Sequence, residues 1–153
     1  MPHEFELNSL QSRQSGMDRR GQGRTYYGTD ELLRRRFDVR VERRAAILQE
    51  IEKRSSDPGL SAITVANTLG ITARYVHLLL EETGAHFSHH VLDRRLEKAA
   101  ALLRDSHWRD RLIIDIAAEA GFTDISHFNR AFRRKFQATP SAMRNSLDRG
   151  EKL

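Results

Sequence analysis

The segment EAGFTDISHFNRAFRRKF, residues 119–136, combines an apolar stripe with a basic surface at the spacing of an α-helix. Three phenylalanines recur at every fourth position: Phe128, Phe132 and Phe136. Residues four apart lie nearly above one another on a helix, so one face of this segment can be buried against a core. Four cations lie between the rings: Arg130, Arg133, Arg134 and Lys135. The segment therefore predicts an amphipathic helix whose outer face is cationic.

An internal repeat extends this pattern toward the N-terminus, because VANTLGI at residues 65–71 aligns with IAAEAGF at residues 116–122. A helix-turn-helix needs a small residue where its two helices cross and a glycine four residues later, where the chain turns with positive φ. Ala66 with Gly70 meets this requirement, and so does Ala117 with Gly121. The repeat predicts two helix-turn-helix units.

The two units differ in the length of their turns. After the glycine, the inward-facing residues of the first unit are Val76 and Leu79. In the second unit they come one place later, at Phe128 and either Ala131 or Phe132. This offset predicts a turn one residue longer in the second unit.

Apolar residues recur at helical spacing along most of the chain, and no segment alternates with the two-residue period of a strand. We therefore predict an all-α fold of about seven helices. The first begins near Asp30 and ends before the breaker SSDPG at residues 55–59. The others cover residues 61–69, 72–82, 88–105, 112–120 and 124–136, and a last helix starts with Thr139 as N-cap and Pro140 as first residue. The helix at 88–105 would span about 27 Å, comparable with the roughly 34 Å between successive major-groove faces of DNA.

Domain organisation follows from composition and periodicity together. Residues 1–29 are rich in Gln, Ser, Arg and Gly and show no period. We assign residues 1–41 to an N-terminal tail or linker remnant, disordered in part. Residues 42–146 form the helical domain, and residues 147–153 form a C-terminal tail.

Composition excludes several classes of protein. The chain has no cysteine, so disulfides, thiolate metal sites and cysteine nucleophiles are ruled out, and we expect the cytoplasm as its compartment. No apolar run has the length of a membrane span. Lys plus Arg number 26 against 21 Asp plus Glu, a net charge of +5 that favours a polyanionic partner.

Catalytic and metal sites are not predicted either. The sequence contains no glycine-rich phosphate loop, nucleophile elbow or facing carboxylate pair, so we expect neither an enzyme nor a cofactor. The densest histidine cluster is HFSHH at residues 86–90. His86 and His90 would share a helical face only if the helix began before His86, whereas Ser88 suits the N-cap. We therefore expect no metal site there.

The segments GLSAITVANTLGITARYVHLLLEETG (59–84) and GFTDISHFNRAFRRKFQATPSAMR (121–144) together resemble the DNA-binding domain of AraC/XylS-type transcriptional regulators. The resemblance covers residues 42–146. It implies two helix-turn-helix units joined by a linker helix, which insert two recognition helices into successive major grooves of an asymmetric double-stranded DNA site. It also implies transcriptional regulation in the bacterial cytoplasm and nucleoid, commonly activation through contact with RNA polymerase.

Most members of that family carry an effector-binding or dimerising domain ahead of this one. Residues 1–41 are too few to form it, so we expect no small-molecule ligand in this chain. The stretch TYYGTDELLRRRFDVRVERR (25–44) looks like the end of a removed domain. We therefore favour a fragment of a longer chain over a stand-alone regulator.

Base-contacting positions carried over from the resemblance fall on Arg74, His77 and Leu78 in the first recognition helix, and on Ile125, Ser126, His127 and Arg130 in the second. An arginine fork suits guanine O6 and N7, Ser126 and His127 can exchange hydrogen bonds with several base edges, and Ile125 can pack on a thymine methyl. Predicted phosphate contacts are Thr72, Asn129, Arg133, Arg134 and Lys135, together with the helix N-termini at Thr72 and Asp124.

Three positions depart from the family pattern. Leu78 stands where a basic residue is usual, and Glu81 and Glu82 end the same helix. Gln137 stands where glycine is usual, and a left-handed conformation there would cost about 1–2 kcal/mol. Met143 replaces an aromatic residue, a milder change because methionine fills core gaps adaptably. Leu78, Glu81 and Glu82 motivate an alternative function, a helical protein-interaction module with weak or lost DNA reading. Its apolar patch would comprise Leu78, Leu79 and Leu80.

Overall fold

A computed structural model describes the backbone of residues 29–148 and the side chains of residues 31–146. It contains α1 (Thr29–Arg54), α2 (Ala62–Leu69), α3 (Ala73–Glu81), α4 (Phe87–Arg104), α5 (Ile113–Glu119), α6 (Ile125–Phe136) and α7 (Pro140–Asp148). A short 3-10 helix, Ser106–Trp108, lies between α4 and α5. No strand occurs in the part of the chain that the structure describes. The prediction of an all-α fold with about seven helices is confirmed.

The N-terminal region differs in detail from the assigned boundary. Residues 29–41, assigned to the tail, are part of α1. The rest of that tail, residues 1–28, and residues 149–153 of the C-terminal tail lie outside the described range. Both helix-turn-helix units belong to one compact unit of the chain, which begins at Asp38 within α1.

The internal repeat is visible in the backbone hydrogen bonds. The amide of Ile71 donates to the carbonyl of Ala66 at 3.0 Å, and the amide of Phe122 donates to that of Ala117 at 2.9 Å. Both are the bonds that close a helix end around a left-handed residue. Gly70 has φ 63° and Gly121 has φ 96°. Both predicted turn glycines therefore have the positive φ that the turn requires.

The length difference between the two turns is confirmed. Thr72 caps α3 two residues after Gly70, whereas Asp124 caps α6 three residues after Gly121. The inward positions shift accordingly, from Val76 and Leu79 to the residues one place later in the repeat. Both candidates in the second unit, Ala131 and Phe132, are buried.

Two hydrophobic cores share the linker helix α4. The first core is built from α1, α2, α3 and the start of α4, with Ile47, Ile51, Leu60, Ala62, Val65, Ala66, Val76, Leu79, Leu80, Phe87 and Val91. The second core is built from the rest of α4 and from α5, α6 and α7, with Leu96, Ala99, Ala100, Leu103, Ile116, Ala117, Ala120, Phe122, Phe128, Ala131, Phe132 and Met143. One helix thus anchors both helix-turn-helix units.

Aromatic rings fill the second core along α6. Phe128 and Phe132 are fully buried, and their ring centroids lie 5.4 Å apart. Phe122 adds an edge-on contact to Phe128 at 5.0 Å, and Phe136 lies 4.6 Å from Phe132. Full burial of one such side chain contributes about 1.5–3 kcal/mol, so this stripe holds α6 with its cationic face outward.

Helix ends follow the sequence signals with one exception. The Thr139 hydroxyl accepts from the amide of Ala142 at 3.1 Å, and Pro140 is the first residue of α7, as predicted. The assignment of Ser88 as a cap was wrong: α4 begins at Phe87, and its N-cap is His86, which makes no side-chain cap bond. Phe87 is buried in the first core, so core packing sets this start rather than a capping side chain.

The two C-terminal departures from the family pattern are accommodated locally. Gln137 has φ 55° and is the only residue other than glycine with positive φ in the described range. Its side-chain amide donates to the carbonyl of Arg134 at 2.8 Å, which offsets part of the strain. Met143 is buried in the second core and fills the place of an aromatic residue.

Candidate nucleic-acid interface

The outer face of α3 carries the base-contacting candidates of the first unit. The hydroxyl of Thr72 accepts from the amide of Tyr75 at 3.2 Å and starts the helix. Arg74, His77 and Leu78 are exposed on this face. All three predicted side chains of α3 therefore lie together at the surface.

The predicted apolar patch on α3 does not form. Leu78 is 45% exposed, but Leu79 and Leu80 are fully buried in the first core. Successive residues on a helix point about 100° apart, so three consecutive leucines cannot share one face. The prediction of this patch was wrong, whereas Leu78 and Glu81, which also motivated the alternative interaction module, are exposed.

The acidic end of α3 is partly neutralised by α1. Glu82 forms ion pairs with Arg40 and with Arg44, whose Nη1 lies 2.9 Å from the Glu82 carboxylate. The sequence offered no signal for this contact, because the partners are about forty residues apart. Its consequence is that one of the two acidic residues at this end contributes little net negative charge.

The N-terminus of α6 is occupied by its own cap. Asp124 Oδ1 accepts from the amides of Ser126 at 2.7 Å and His127 at 3.1 Å. These hydrogen bonds, from His127 and then Ser126, hold the pKa of Asp124 below its ordinary value of 3.8. The two amides already donate to an anionic acceptor, so they are not free to donate to a phosphate group at this helix end.

The remaining surface of α6 is polar and cationic. Its exposed residues are Ser126, His127, Asn129, Arg130, Arg133 and Arg134. Within residues 31–146, no ion pair engages Arg74, Arg133 or Arg134. These guanidinium groups are available to an external anion.

Two predicted contact residues of α6 have internal roles. The ammonium group of Lys135 pairs with Asp93 and, at 2.8 Å, with Glu97, both on α4. Burial alone would lower the pKa of Lys135, but the hydrogen bonds to Asp93 and Glu97 hold it above its ordinary value. Ile125 is half-buried against the second core. Lys135 and Ile125 therefore help to position α6 against α4 and the second core.

A groove lies between the two helix-turn-helix units. It has a volume of about 990 Å³, and its lining includes His77 of α3 and His127 of α6. His86 and His89, at the start of α4, also line it. The two recognition helices thus border one common groove.

His90, the last residue of the histidine cluster at 86–90, makes a hydrogen bond within the protein. His90 Nε2 lies 2.9 Å from the Thr83 hydroxyl, and burial lowers the pKa of His90. In the described range, no group of three or more His, Asp or Glu residues could hold a metal ion.

Among the helices described, none combines the length and apolar character that a membrane span needs.

Two exposed recognition helices on paired helix-turn-helix units, joined by a shared helix, define a bipartite DNA-binding module. The helix-turn-helix domain family matches residues 65–146 of the chain. The chain belongs to the AraC/XylS-type family of DNA-binding transcriptional regulators.

Individual relatives agree with this family. The transcriptional activator RhrA of Rhizobium meliloti is 34% identical over 102 residues, covering 67% of this chain and 32% of RhrA. The chain thus spans about a third of the length of this relative. The C-terminal domain of AraT, a response regulator from Geobacillus stearothermophilus, is 28% identical with a TM-score of 0.60, covering 67% of this chain and 84% of that one. An AraC-type DNA-binding transcriptional regulator from Chromobacterium violaceum is 25% identical with a TM-score of 0.60, covering 67% and 88%.

Proposed function

We propose that residues 42–146 bind an asymmetric double-stranded DNA site, with α3 and α6 in successive major grooves. One observation supports this proposal: both recognition helices expose polar and cationic side chains, and both border one groove, which His77 of α3 and His127 of α6 help to line. A helix-turn-helix places its second helix in the major groove, and two such helices on one rigid frame require two properly spaced half-sites.

Base recognition falls to the exposed residues of the two helices. Arg74 and Arg130 offer bidentate donors to guanine, while Ser126 and His127 suit several base edges. His77 adds a polar contact from α3, and Leu78 suits a thymine methyl group better than any charged edge.

Phosphate contacts fall to the residues at the margins of the same faces. Arg133 and Arg134 supply full charges, and Asn129 and Thr72 supply neutral hydrogen bonds. Ile125 and Lys135, because of their internal contacts, are assigned to the positioning of α6.

We further propose that the regulator activates transcription through contact with RNA polymerase in the bacterial cytoplasm. RhrA is named a transcriptional activator, which supports this direction of regulation. The proposal is confined to DNA binding and to the activation of transcription, because the chain spans only about a third of the length of RhrA. We infer a binding role and no catalysis.

Selection of bound duplexes from a random pool tests the proposal. We expect enrichment of a two-part motif whose halves lie about ten base pairs apart, one helical turn. Affinity for the enriched duplex should fall with salt by about 0.9 log units per log unit of salt for each phosphate neutralised. Failure of the pool to enrich any motif would contradict sequence-specific binding.

A further inference from the structure

The loop that follows α1 packs against the turn of the second helix-turn-helix unit. A methyl group placed on Gly121 would lie 2.8 Å from the Cα of Ser56 and 3.0 Å from its carbonyl oxygen. The same group would lie 3.0 Å from the guanidinium Nε of Arg95. Only glycine leaves room for this approach of two backbones, in addition to its role in the turn.

Lys98 of α4 ties this loop to the end of α5. Its ammonium group donates to the Ser56 hydroxyl at 2.8 Å, to the carbonyl of Glu119 at 2.9 Å and to the Glu119 carboxylate at 3.0 Å. An ammonium group has three donors, so all of them are engaged. Glu119 is the last residue of α5 and immediately precedes the turn that contains Gly121. The Lys98 ammonium group therefore connects the loop that precedes α2 with the C-terminal end of α5.

Arg95, one helical turn before Lys98, fixes the backbone of the same loop. Its Nε donates to the carbonyl of Ser55 at 2.7 Å, and its Nη2 donates to that of Asp57 at 3.1 Å. The loop is also held internally, because the Asp57 carboxylate accepts from Arg54 at 3.0 Å and from the amide of Gly59 at 2.8 Å. Hydrogen bonds thus fix the conformation of this loop.

The equivalent turn of the first unit shows that this packing is not required by the helix-turn-helix itself. Gly70 occupies the same place in the repeat, with φ 63°, yet a methyl group placed on it would meet no atom within 4 Å. Gly121 also needs a positive φ, and in addition its backbone lies close to that of Ser56. The contact is therefore an additional feature that connects the two units.

We propose that residues 55–57, Arg95, Lys98 and Gly121 form an inter-unit clamp that sets the separation and orientation of α3 and α6, and thereby the spacing between half-sites that the protein accepts. The inference rests on the proposed function for its consequence on DNA. α3 belongs to the core that contains Ile47 and Ile51 of α1, and the loop continues directly from α1. α6 begins directly after the Gly121 turn. The clamp therefore adds a direct contact between this loop and the Gly121 turn, held by two side chains of α4, to the connection that the two cores make through α4.

Binding experiments on the full chain test the consequence for DNA. The duplex selected by the unmodified protein is compared with duplexes that have one half scrambled and with duplexes whose spacer is one base pair longer or shorter. For Gly121→Ala and Lys98→Met we expect a loss of about tenfold in affinity for the intact site, because the second half-site is bound with a lower effective concentration. Affinity for each single half should change less than twofold, and the preference among spacer lengths should weaken.

Gly70→Ala is the matched control. It also places an alanine at positive φ but without the backbone collision, so it should lower thermal stability while leaving the preference among spacer lengths unchanged. Lys98→Met keeps the aliphatic stem but removes all three donors, and it tests the clamp should Gly121→Ala fail to fold. Equal spacer preference in Lys98→Met and the unmodified protein would overturn the proposal.

A measurement without DNA separates the clamp from the proposed function. The chain has no cysteine, so Glu81→Cys on α3 and Arg134→Cys on α6 give two unique positions for spin labels. Pulsed electron spin resonance should yield one narrow distance in the otherwise unmodified chain and a broader distribution after Lys98→Met. Should the unmodified protein select no duplex, the proposed function fails while this distance still tests the clamp. Identical narrow distributions in both proteins would overturn it.

Discussion

The carboxylate of Glu82, at the end of α3, accepts a hydrogen bond at 2.9 Å from Nη1 of Arg44 on α1. Arg40 pairs with the same carboxylate. The acidic end of the first recognition helix is therefore tied to a helix outside the helix-turn-helix unit. This contact offsets the charge of one of the two carboxylates at that end of α3.

Glu82→Gln should separate the structural from the electrostatic effect of this contact, with Glu81→Gln as control. Both changes remove one negative charge from the same helix end, but only Glu82 takes part in the described ion pairs. We expect both variants to bind random duplex more tightly at low salt. Only Glu82→Gln should lose stability, by at most about 1 kcal/mol because the pair is partly exposed. Equal unfolding midpoints for the two variants would contradict the role of the ion pair.

Arg130→Ala should weaken binding to the selected site by about 1–3 kcal/mol and relax base preference at one position. Arg130 is exposed on α6 and suits bidentate contact with guanine. The measurement compares affinity for the selected duplex with affinity for duplexes substituted at each position. Arg134→Ala is the control, because loss of a phosphate contact should weaken all duplexes similarly. An equal loss on specific and random duplexes would remove Arg130 from the base-contacting set.

Gln137→Gly should increase the free energy of unfolding by up to about 1 kcal/mol, since glycine adopts the left-handed conformation without steric cost. The gain is limited because the hydrogen bond from the Gln137 side chain to the Arg134 carbonyl is lost. Chemical denaturation of both proteins measures the difference. Gln137→Ala, which keeps the strain and loses the hydrogen bond, should be less stable than the unmodified protein. A destabilised Gln137→Gly variant would show that the hydrogen bond outweighs the strain.

Phe132→Ala should destabilise the second unit by about 3–5 kcal/mol, because it leaves a cavity between Phe128 and Phe136 in a fully packed core. Phe132→Leu retains more of the volume and should cost less. Thermal unfolding followed by circular dichroism gives both values. A loss below about 1 kcal/mol for the alanine variant would be inconsistent with full burial of this ring.

Acid should weaken the start of α6 through Asp124. Hydrogen bonds from the amides of His127 and Ser126 lower the pKa of Asp124 below 3.8 in the folded state. The folded pKa is depressed, so this stabilisation is fully present above the unfolded pKa, near pH 4, and is lost as pH falls through the folded pKa. Asp124→Asn keeps an oxygen acceptor but has no carboxylate to protonate. Its unfolding midpoint should therefore fall less steeply below pH 4 than that of the unmodified protein, and parallel curves would rule out this contribution.

Local signals in the sequence were sufficient to predict the seven α-helices that the structure describes and their order, but not the short 3-10 helix Ser106–Trp108. Ala66 with Gly70, and Ala117 with Gly121, located both turns because the requirement for positive φ is met within a few residues. The spacing of inward residues after each glycine was enough to predict a longer second turn. These features depend on backbone geometry, which a short stretch of sequence largely determines.

Contacts between distant segments could not be predicted in the same way. The ammonium group of Lys135 has a sequence context typical of a phosphate contact, but Asp93 and Glu97 lie about forty residues away and pair with it. SSDPG, at residues 55–59, carries a clear breaker signal, yet nothing in it indicates that Ser56 packs against Gly121. The start of α4 was misplaced because burial of Phe87 outweighed the capping tendency of Ser88.

The passage of α4 through both cores, with Val91 in the first and Leu96 in the second, has a consequence for how the domain loses its structure. Melting of one core would fray the helix on which its neighbour is built, so the halves should denature together as a single cooperative transition. Although the domain contains two copies of one motif, calorimetry should then show a single two-state transition.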